Sequence, residues 1–271
     1  MQLNQDQIKQ YHEDGLLVIE AAFTPEEVAI LCDAYQRDSR IPGPHIITEE
    51  GSDEVRGLYG SHLRQPEFTA LVRDPRFLGP VTQLLADDVY VYQFKINAKA
   101  AFGGDKWAWH QDYLAWKICD NLPSPQQINV GLYLDEVNEF NGPVIFVPGS
   151  HRNGLVRDSR NEGDAKSDQH LDPDDIALTP EQMTSLVRLH GMTSPKGPAG
   201  TLVFFHTEVV HGSAQNMSPF PRKLLLATYN DVTNQARPAG EPRPEYVVCR
   251  DTRPLSLLDA SLLAVGAGGS R

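Results

Sequence analysis

From residue 89 onward the chain carries five short runs rich in β-branched and aromatic residues, separated by Gly, Pro and Asn. The runs are Val89–Asn97, Ile128–Asp135, Val144–Val147, Thr201–Phe205 and Lys223–Asn230. Runs of this length and composition are typical of β-strands. Because helices do not alternate regularly with them, they favour an antiparallel sandwich or barrel over a parallel sheet. The sequence therefore predicts a mainly β fold, a jelly roll.

The chain before residue 89 has helical signals instead. Thr24-Pro25-Glu26-Glu27 is a capping box with proline at the first helical position, which starts a helix. The predicted elements of this part are a helix over Gln5–Glu13, a strand over Leu16–Glu20, a helix from Thr24 to about Tyr35, and helices at about residues 66–72 and 75–85. We expect residues 1–88 to form a mainly helical support for the β core.

One domain of 271 residues is the simplest organisation, with the core over residues 89–235 and a C-terminal extension over 236–271. The charged, Asp-rich stretch at about residues 152–175 predicts a mobile surface loop or lid. A second capping box, Thr179-Pro180-Glu181-Gln182, predicts a helix to about Leu189. The small, Gly-rich residues 264–271 predict a frayed tail.

Composition excludes several classes of function. The net charge of −12 argues against a nucleic-acid partner, whose phosphates require Lys and Arg. No apolar run has the roughly 18 residues that a membrane helix needs, and the polar start lacks the apolar region of a signal peptide. The three cysteines are widely separated and form no C-x-x-C motif, which predicts reduced thiols and a cytoplasmic protein.

Three His-x-Asp pairs occur, and this pattern alone is weak evidence for a metal site. His12 ends a polar helix and His170 lies in the acidic loop, so both pairs are interpreted as solvated side chains. The pair His110-Gln111-Asp112 differs, because it lies in WAWHQDY, among aromatic residues and between predicted strands. On a strand or its margin, residues two apart share a face, so His110 and Asp112 can converge on one metal ion.

A second histidine would complete a site for Fe(II), in which two histidines and one carboxylate leave three positions open. His211 is preferred, because Ser213 and Arg222 follow it. The Arg222 guanidinium suits the bidentate binding of a carboxylate. His206, in an H-x-E pair with Glu208, is the alternative third ligand.

Alternation along the strands divides their side chains between two faces. Gln93, Lys95 and Asn97 share one face of the first strand, and the set Tyr92, Phe94 and Ile96 shares the other. The polar set either faces water or lines a pocket inside the barrel, and alternation alone leaves both open. In the next strand the set Asn129, Gly131, Tyr133 and Asp135 is a second candidate pocket wall.

Several motifs together resemble the phytanoyl-CoA dioxygenase superfamily of Fe(II)- and 2-oxoglutarate-dependent oxygenases. They are Trp109-His110-Gln111-Asp112, NGPVIFVPGSH at residues 141–151, and His211-Gly212-Ser213 through Pro221-Arg222. The resemblance covers roughly residues 5–255. Within the superfamily the chain is most similar to the bacterial free-proline 4-hydroxylases and ectoine hydroxylase, through VYVYQFKINAKA at 89–100, NMSPFPR at 216–222 and RPEYV at 243–247.

The resemblance implies a cupin-like double-stranded β-helix with His110, Asp112 and His211 as iron ligands. It also implies Arg222 and Ser213 at the distal carboxylate of 2-oxoglutarate. The remaining implied or proposed contacts are Asn97 and Lys95 near the cosubstrate, and Gln93, Trp116, Tyr113, Asn129 and Tyr133 at the substrate. His151, which ends NGPVIFVPGSH, is interpreted as ordering the following loop. The segment from Lys117 to Pro123 departs from the family pattern beside the predicted substrate wall.

The predicted reaction consumes O2 and 2-oxoglutarate, releases succinate and CO2, and hydroxylates an unactivated C–H bond. The expected substrate is a small free amino acid, most simply proline in a trans-4-hydroxylation, or a cyclic relative such as pipecolic acid. Alternatives are ectoine, an acyl-CoA or another biosynthetic small molecule, and a non-catalytic jelly-roll binding module. We expect no nucleic-acid or membrane partner, and a monomer or homodimer.

Overall fold

The computed structural model describes residues 1–156, 173–259 and 262–268. Its helices are α1 (Gln5–Asp14), α2 (Pro25–Asp38), α3 (Pro66–Leu71), α4 (Leu78–Leu85), α5 (Asp112–Asp120), α6 (Pro180–His190) and α7 (Leu262–Gly268). Its strands are β1 (Leu16–Ile19), β2 (Ile46–Thr48), β3 (Val55–Tyr59), β4 (Val89–Lys99), β5 (Trp107–His110), β6 (Gln127–Tyr133), β7 (Val144–Val147), β8 (Leu202–His206), β9 (Val210–Ser213) and β10 (Arg222–Asp231). Most of the predicted lid at about 152–175 lies outside the described residues.

Capping boxes start three of the helices. The Asn4, Thr24 and Thr179 side chains each accept from the backbone N–H three residues later, and the Gln or Glu side chain there accepts in return. Each box satisfies two backbone donors that a helix start would otherwise leave without partners. The predicted starts of α2 and α6 are therefore confirmed.

The strands form two antiparallel sheets that together make the predicted jelly roll. The large sheet has the order β1-β8-β6-β10-β4-β3-β2, and the small sheet has the order β5-β9-β7. All six predicted strands exist, and β7 has the predicted bounds. Four strands were not predicted. Strands β5 and β9 form the small sheet with β7, and β2 and β3 lie in the mainly helical first part and extend the large sheet beyond β4.

The main core lies between the helices and one face of the large sheet. Leu31 and Phe68 from the helices meet Phe94, Ile96 and Leu225 from the sheet, and all five are fully buried or nearly so. This packing leaves the other face of β4, β6 and β10 turned toward the small sheet. Polar side chains of the large sheet can therefore face an interior space between the two sheets.

A bulge in β4 corrects one prediction of strand faces. Thr228 of β10 is opposite Gln93, but the next residue, Tyr229, is opposite Val91. Tyr92 is the extra residue, and it packs in a cluster with Trp116 rather than in the main core with Phe94. The expectation that Tyr92 shares a face with Phe94 and Ile96 is wrong, because simple alternation cannot reveal an inserted residue.

The C-terminal extension contains a helix that was not predicted. Helix α7 occupies Leu262–Gly268, and Leu262 is fully buried in the main core. The helix overlaps the start of the stretch from residue 264 that was expected to be frayed, and residues 269–271 lie outside the described residues. No helix among the described residues combines the length and the apolarity needed to span a bilayer.

Candidate metal and cosubstrate site

Two histidines and one aspartate meet between the two sheets. His110 ends β5 and is directly opposite His211 of β9, while Asp112 begins α5. Asp112 Oδ1 lies 3.5 Å from His110 Nε2, and its Oδ2 lies 3.7 Å from His211 Nε2. The three ligand atoms all lie within 4.8 Å of one another. This donor set fits an Fe(II) ion with open coordination positions.

The ring orientation of both histidines is fixed by backbone carbonyls. His110 Nδ1 lies 2.7 Å from the Ala108 carbonyl oxygen, and His211 Nδ1 lies 3.0 Å from that of Val209. When Nδ1–H donates to these carbonyls, the lone pair of each Nε2 faces the Asp112 carboxylate and the space for a metal. The local backbone therefore selects the tautomer that can bind iron.

The charges of the site also suit metal binding. Burial lowers the pKa of His211 to about 4, so its imidazole is neutral at pH 7. Burial opposes ionisation of Asp112, but the positive charge of Lys95 and the interactions with the two histidine rings outweigh it, so the pKa of that carboxyl lies far below its usual value. Neutral imidazoles and an ionised carboxylate are the forms that bind a divalent ion.

A buried hydrogen-bond chain supports the Asp112 carboxylate. Asn129 Nδ2 donates to Asp112 Oδ2 at 2.8 Å, and Thr228 Oγ1 donates to Asn129 Oδ1 at 2.7 Å. Asn129 of β6 and Thr228 of β10 are directly opposite each other, and both are almost fully buried. The chain thus reaches from the middle of the large sheet to the metal site.

A cavity of about 470 Å³ adjoins the three ligands. Besides His110, Asp112 and His211, its lining residues are Lys95, Asn97, Trp107, Val144, Phe205, Gly212, Ser213, Arg222, Leu224 and Leu226. The wall is mainly apolar with a few polar groups, which is the usual character of a small-molecule pocket. The predicted cosubstrate residues Lys95, Asn97, Ser213 and Arg222 are all among those that line it.

The Arg222 end of the cavity contains buried polar atoms without partners. Arg222 is 2% exposed, and its Nη2 donates to the Gly142 carbonyl at 2.6 Å. Its Nε has no hydrogen-bond partner among the described residues, and neither has Asn97 Oδ1. Burial lowers the pKa of Arg222 to about 10, so it stays protonated at pH 7. A buried cation with a free donor fits the distal carboxylate of 2-oxoglutarate.

A second buried cation lies next to Arg222. Lys99 is opposite Arg222 in the sheet and is 1% exposed. Its ammonium donates to the Asp105 carbonyl at 2.9 Å and also to the Ala214 carbonyl. Burial and the Arg222 charge lower the pKa of Lys99 to about 7. Both buried cations therefore increase the positive potential at this end of the cavity.

The residues predicted at the substrate are buried near the ligands but are not among the described residues that line this cavity. Gln93 Nε2 donates to the Val247 carbonyl at 3.1 Å, and Tyr133 Oη donates to the Pro195 carbonyl at 2.9 Å. Trp116 packs on Tyr92 with the ring centroids 5.2 Å apart, and Tyr113 belongs to the same cluster. Their contacts with substrate remain predictions.

His206 lies outside the cluster of metal-binding groups found among the described residues. Its ring packs on His151 with the centroids 5.0 Å apart, and its Nδ1 accepts from the Glu208 backbone N–H. His151 Nε2 lies 3.1 Å from the His12 carbonyl oxygen, which ties the residues before the predicted loop to α1. The third ligand is thus His211, as preferred over His206, while His170 lies outside the described residues.

Sequence reasoning missed residues that the β10 register would have revealed. Residues two apart share a face, so Leu224, Leu226 and Thr228 follow Arg222 on the site side of β10. Leu224 and Leu226 do line the cavity, and Thr228 supports Asn129. Lys99 was also missed, because a lysine in a strand usually marks an exposed position.

The segment that departs from the family pattern contains a buried ion pair. Asp120, the last residue of α5, accepts from both Nε and Nη2 of Arg243 and from Tyr92 Oη. Asp120 is almost fully buried, and the Arg243 side chain is 12% exposed. Bidentate pairing of this kind raises the pKa of Arg243, and it attaches the C-terminal extension to α5 and β4.

The jelly roll, the His-Asp-His triad and the buried arginine define a 2-oxoglutarate-dependent dioxygenase whose cofactors are iron and 2-oxoglutarate. Comparison with known proteins agrees. Residues 11–224 match the model of the phytanoyl-CoA dioxygenase family, and the chain belongs to that family.

Relatives with assigned activities lie in two groups. The chain is 37% identical over 257 residues to L-proline trans-4-hydroxylase of Streptomyces griseoviridis, covering 93% of this chain and 95% of the relative. It is 35% identical over 272 residues to ectoine dioxygenase of Bordetella bronchiseptica, covering 94% and 87%. Both comparisons extend over nearly the whole chain.

Solved structures confirm the fold. A crystal structure of EctD from S. alaskensis with 2-oxoglutarate and 5-hydroxyectoine matches with a TM-score of 0.83 and 28% identity, covering 96% of this chain and 89% of that one. The same protein with bound Fe matches with a TM-score of 0.82. The chain is therefore an iron- and 2-oxoglutarate-dependent hydroxylase of a small molecule.

Proposed function

We propose that the enzyme hydroxylates free L-proline at the trans-4 position, with pipecolic acid as a related substrate. The observation that carries this proposal is the 37% identity to an L-proline trans-4-hydroxylase over 95% of that relative's length. The polarity of the cavity suits a small amino acid beside 2-oxoglutarate, because it combines apolar walls with a few charged groups.

Iron and 2-oxoglutarate, when bound with O2, supply the oxidation that replaces C–H by C–OH, while 2-oxoglutarate becomes succinate and CO2. The protein holds the reactants in place and keeps water out. Arg222 and Ser213 would hold the distal carboxylate of 2-oxoglutarate, with Asn97 beside it. The apolar side chains of Phe205, Leu224 and Leu226 line the cavity and exclude water from it, which limits side reactions of the oxidant.

Lys95 is the residue best placed to bind a substrate carboxylate. It lines the cavity on the same face of β4 as Asn97, and no described side chain forms an ion pair with it. Its charge acts on Asp112, so it lies near the triad rather than only at the Arg222 end. An amino-acid carboxylate bound there would place the substrate next to the metal ligands.

Ectoine is the second candidate, since relatives at 35% identity and the structural match containing 5-hydroxyectoine point to it. The test is a turnover assay of the iron-loaded protein with L-proline, L-pipecolic acid and ectoine in parallel. Succinate is quantified, and mass spectrometry detects the gain of one oxygen atom. We expect nearly equal amounts of succinate and trans-4-hydroxyproline. Coupled turnover of ectoine with only uncoupled succinate from proline would overturn the proposal.

Lys95→Met separates the two carboxylates that Lys95 could bind. If Lys95 binds the substrate, the KM for proline rises roughly 10-fold or more and the KM for 2-oxoglutarate changes little. The reverse pattern would place Lys95 at the cosubstrate instead. Lys223→Met is a matched control, because Lys223 lies in β10 but forms its ion pair with Asp135 outside the cavity lining.

A further inference from the structure

The Asp112 ligand differs from the two histidines in how it is held. Both histidines lie on strands of the small sheet and are oriented by carbonyls two residues earlier. Asp112 is the first residue of α5, where the strand has already ended. Its carboxylate accepts a hydrogen bond from the side chain of Asn129. Asn129 lies in the large sheet, on the other side of the interior space. The position of the Asp112 carboxylate therefore depends on a residue in the other sheet.

Asn129 can serve this purpose only if its amide has one orientation. Rotated by half a turn, the amide would present Oδ1 to Asp112 Oδ2, so that two acceptors faced each other. Thr228 stabilises the correct orientation, because its hydroxyl donates to Oδ1 at 2.7 Å. Both ends of the Asn129 amide then have partners, and Asn129 is 2% exposed. These contacts leave it poorly suited to bind substrate directly.

We propose that Asn129 and Thr228 are positioning residues, which hold the Asp112 carboxylate so that it offers a single oxygen to the iron. The amide engages Oδ2 and leaves Oδ1 for the metal. A carboxylate that turned to bind through both oxygens would occupy one more position, which 2-oxoglutarate and O2 require. The proposal concerns the iron site itself and does not depend on which small molecule is hydroxylated.

Thr228→Val tests the chain with little change in volume. We expect the affinity of this variant for Fe(II), measured anaerobically by competition with a chelator, to fall about 10-fold relative to the parent. Succinate formation per hydroxylated product should rise, and the visible absorption of the anaerobic Fe(II)–2-oxoglutarate complex should shift. Thr228→Ser, which restores the hydroxyl, should return all three readouts toward the parent.

Thr207→Val is the matched control. Thr207 is equally buried, and its hydroxyl donates to the side chain of Gln127, the first residue of the same strand as Asn129. This variant removes a buried threonine–amide hydrogen bond that does not reach Asp112. We expect lower stability without loss of Fe(II) affinity. Equal Fe(II) affinity losses in both threonine variants would show a general structural effect and overturn the proposal.

A double-mutant cycle with Asn129→Ala gives the sharpest result. Because Thr228 acts only through Asn129, the double variant should bind Fe(II) as tightly as Asn129→Ala alone. Additive losses would show that Thr228 acts by another route and would overturn the proposal. Unchanged Fe(II) affinity in Asn129→Ala would do so as well, and this single variant suffices if Thr228→Val does not fold.

Discussion

The two ends of the site differ in how far the protein satisfies its own polar groups. At the metal end, both histidine Nδ1 atoms have carbonyl partners, and Asp112 accepts from Asn129. At the cosubstrate end, Arg222 Nε and Asn97 Oδ1 are buried without partners among the described residues. Buried polar groups without partners are costly, so the second end is stabilised when a ligand carboxylate accepts from Arg222 Nε.

The contacts that a ligand must complete therefore lie at the cosubstrate end. The metal end is held in a binding-competent arrangement by protein contacts alone, whereas the cosubstrate end has its charge in place and its hydrogen bonds incomplete. Binding of 2-oxoglutarate should therefore increase the free energy of unfolding. The increase should exceed that from a ligand that buries an equal apolar area without completing these hydrogen bonds.

His211→Ala should have the largest effect, because it removes an iron ligand. We expect Fe(II) binding to be lost and turnover to fall by at least about 10³-fold. Chelator competition and a succinate assay measure the two effects. His206→Ala is the control, and it should keep iron binding and most turnover. Loss of iron binding in the His206 variant, with retention in the His211 variant, would contradict the ligand assignment.

Arg222→Ala should break the cosubstrate end and leave the metal end intact. Removal of the buried guanidinium should raise the KM for 2-oxoglutarate by roughly 100-fold. Fe(II) affinity in the absence of 2-oxoglutarate should change little. A KM for 2-oxoglutarate close to that of the parent would refute the anchoring role. Lys223→Ala, one residue further along β10, should leave both constants nearly unchanged.

Lys99 predicts a pH dependence confined to the cosubstrate end. Its pKa of about 7 means that the ammonium is charged below pH 7 and increasingly neutral above it. Since a positive charge there favours the 2-oxoglutarate dianion, the KM for 2-oxoglutarate should rise several-fold between about pH 7 and 9. Initial rates across this range measure the effect. Lys99→Met should flatten the profile, and an unchanged slope would exclude Lys99 as its source.

Substitution of His62 should have the smallest effect on activity. It tests whether a buried polar group without a partner always marks a ligand-binding site. Neither ring nitrogen of His62 has a partner in the part of the chain that the structure describes, but the ring packs on Phe94, which belongs to the main core. Burial lowers the pKa of His62 to about 4, so the unfolded chain binds the extra proton between about pH 4 and 6.5. The stability present above pH 6.5 should therefore be lost as the pH falls through this window, by at most about 1.4 kcal/mol per unit.

His62→Phe should reduce this loss in acid unfolding, followed by circular dichroism. It should leave the KM for 2-oxoglutarate unchanged, because the ring is part of the helical support. A raised KM would connect His62 to the site and weaken the contrast between the two ends.

Local patterns were enough to predict most of the fold. Capping boxes and runs of β-forming residues depend on near neighbours in sequence, and they located α2, α6 and the six predicted strands. Strand β2 is only three residues long, and half-buried β3 depends on pairing with β4, so neither had a strong local signal. The bulge at Tyr92 likewise arises from the pairing of β4 with β10.

The site was predictable where residue chemistry is specific and less so where geometry decides. The sequence selected side chains that do come together around one cavity, His110, Asp112, His211 and Arg222, because few residue types can perform the tasks expected of them. Asp112 was expected on a strand or its margin, yet it begins a helix, and its hydrogen bond to Asn129 depends on how the two sheets face each other. No spacing rule in the sequence gives that relation.

The pairing of Asp120 with Arg243 has a consequence for how the enzyme is made. A ribosome delivers residues in order, so α5 and β4 leave it well before Arg243 and Val247 follow. Until then the Asp120 carboxylate has no arginine partner and Gln93 lacks its Val247 contact. A nascent chain that stalls after β10 would thus carry all three iron ligands without the contacts that attach the C-terminal extension to α5 and β4, and these contacts form only after residues 243–247 have been made.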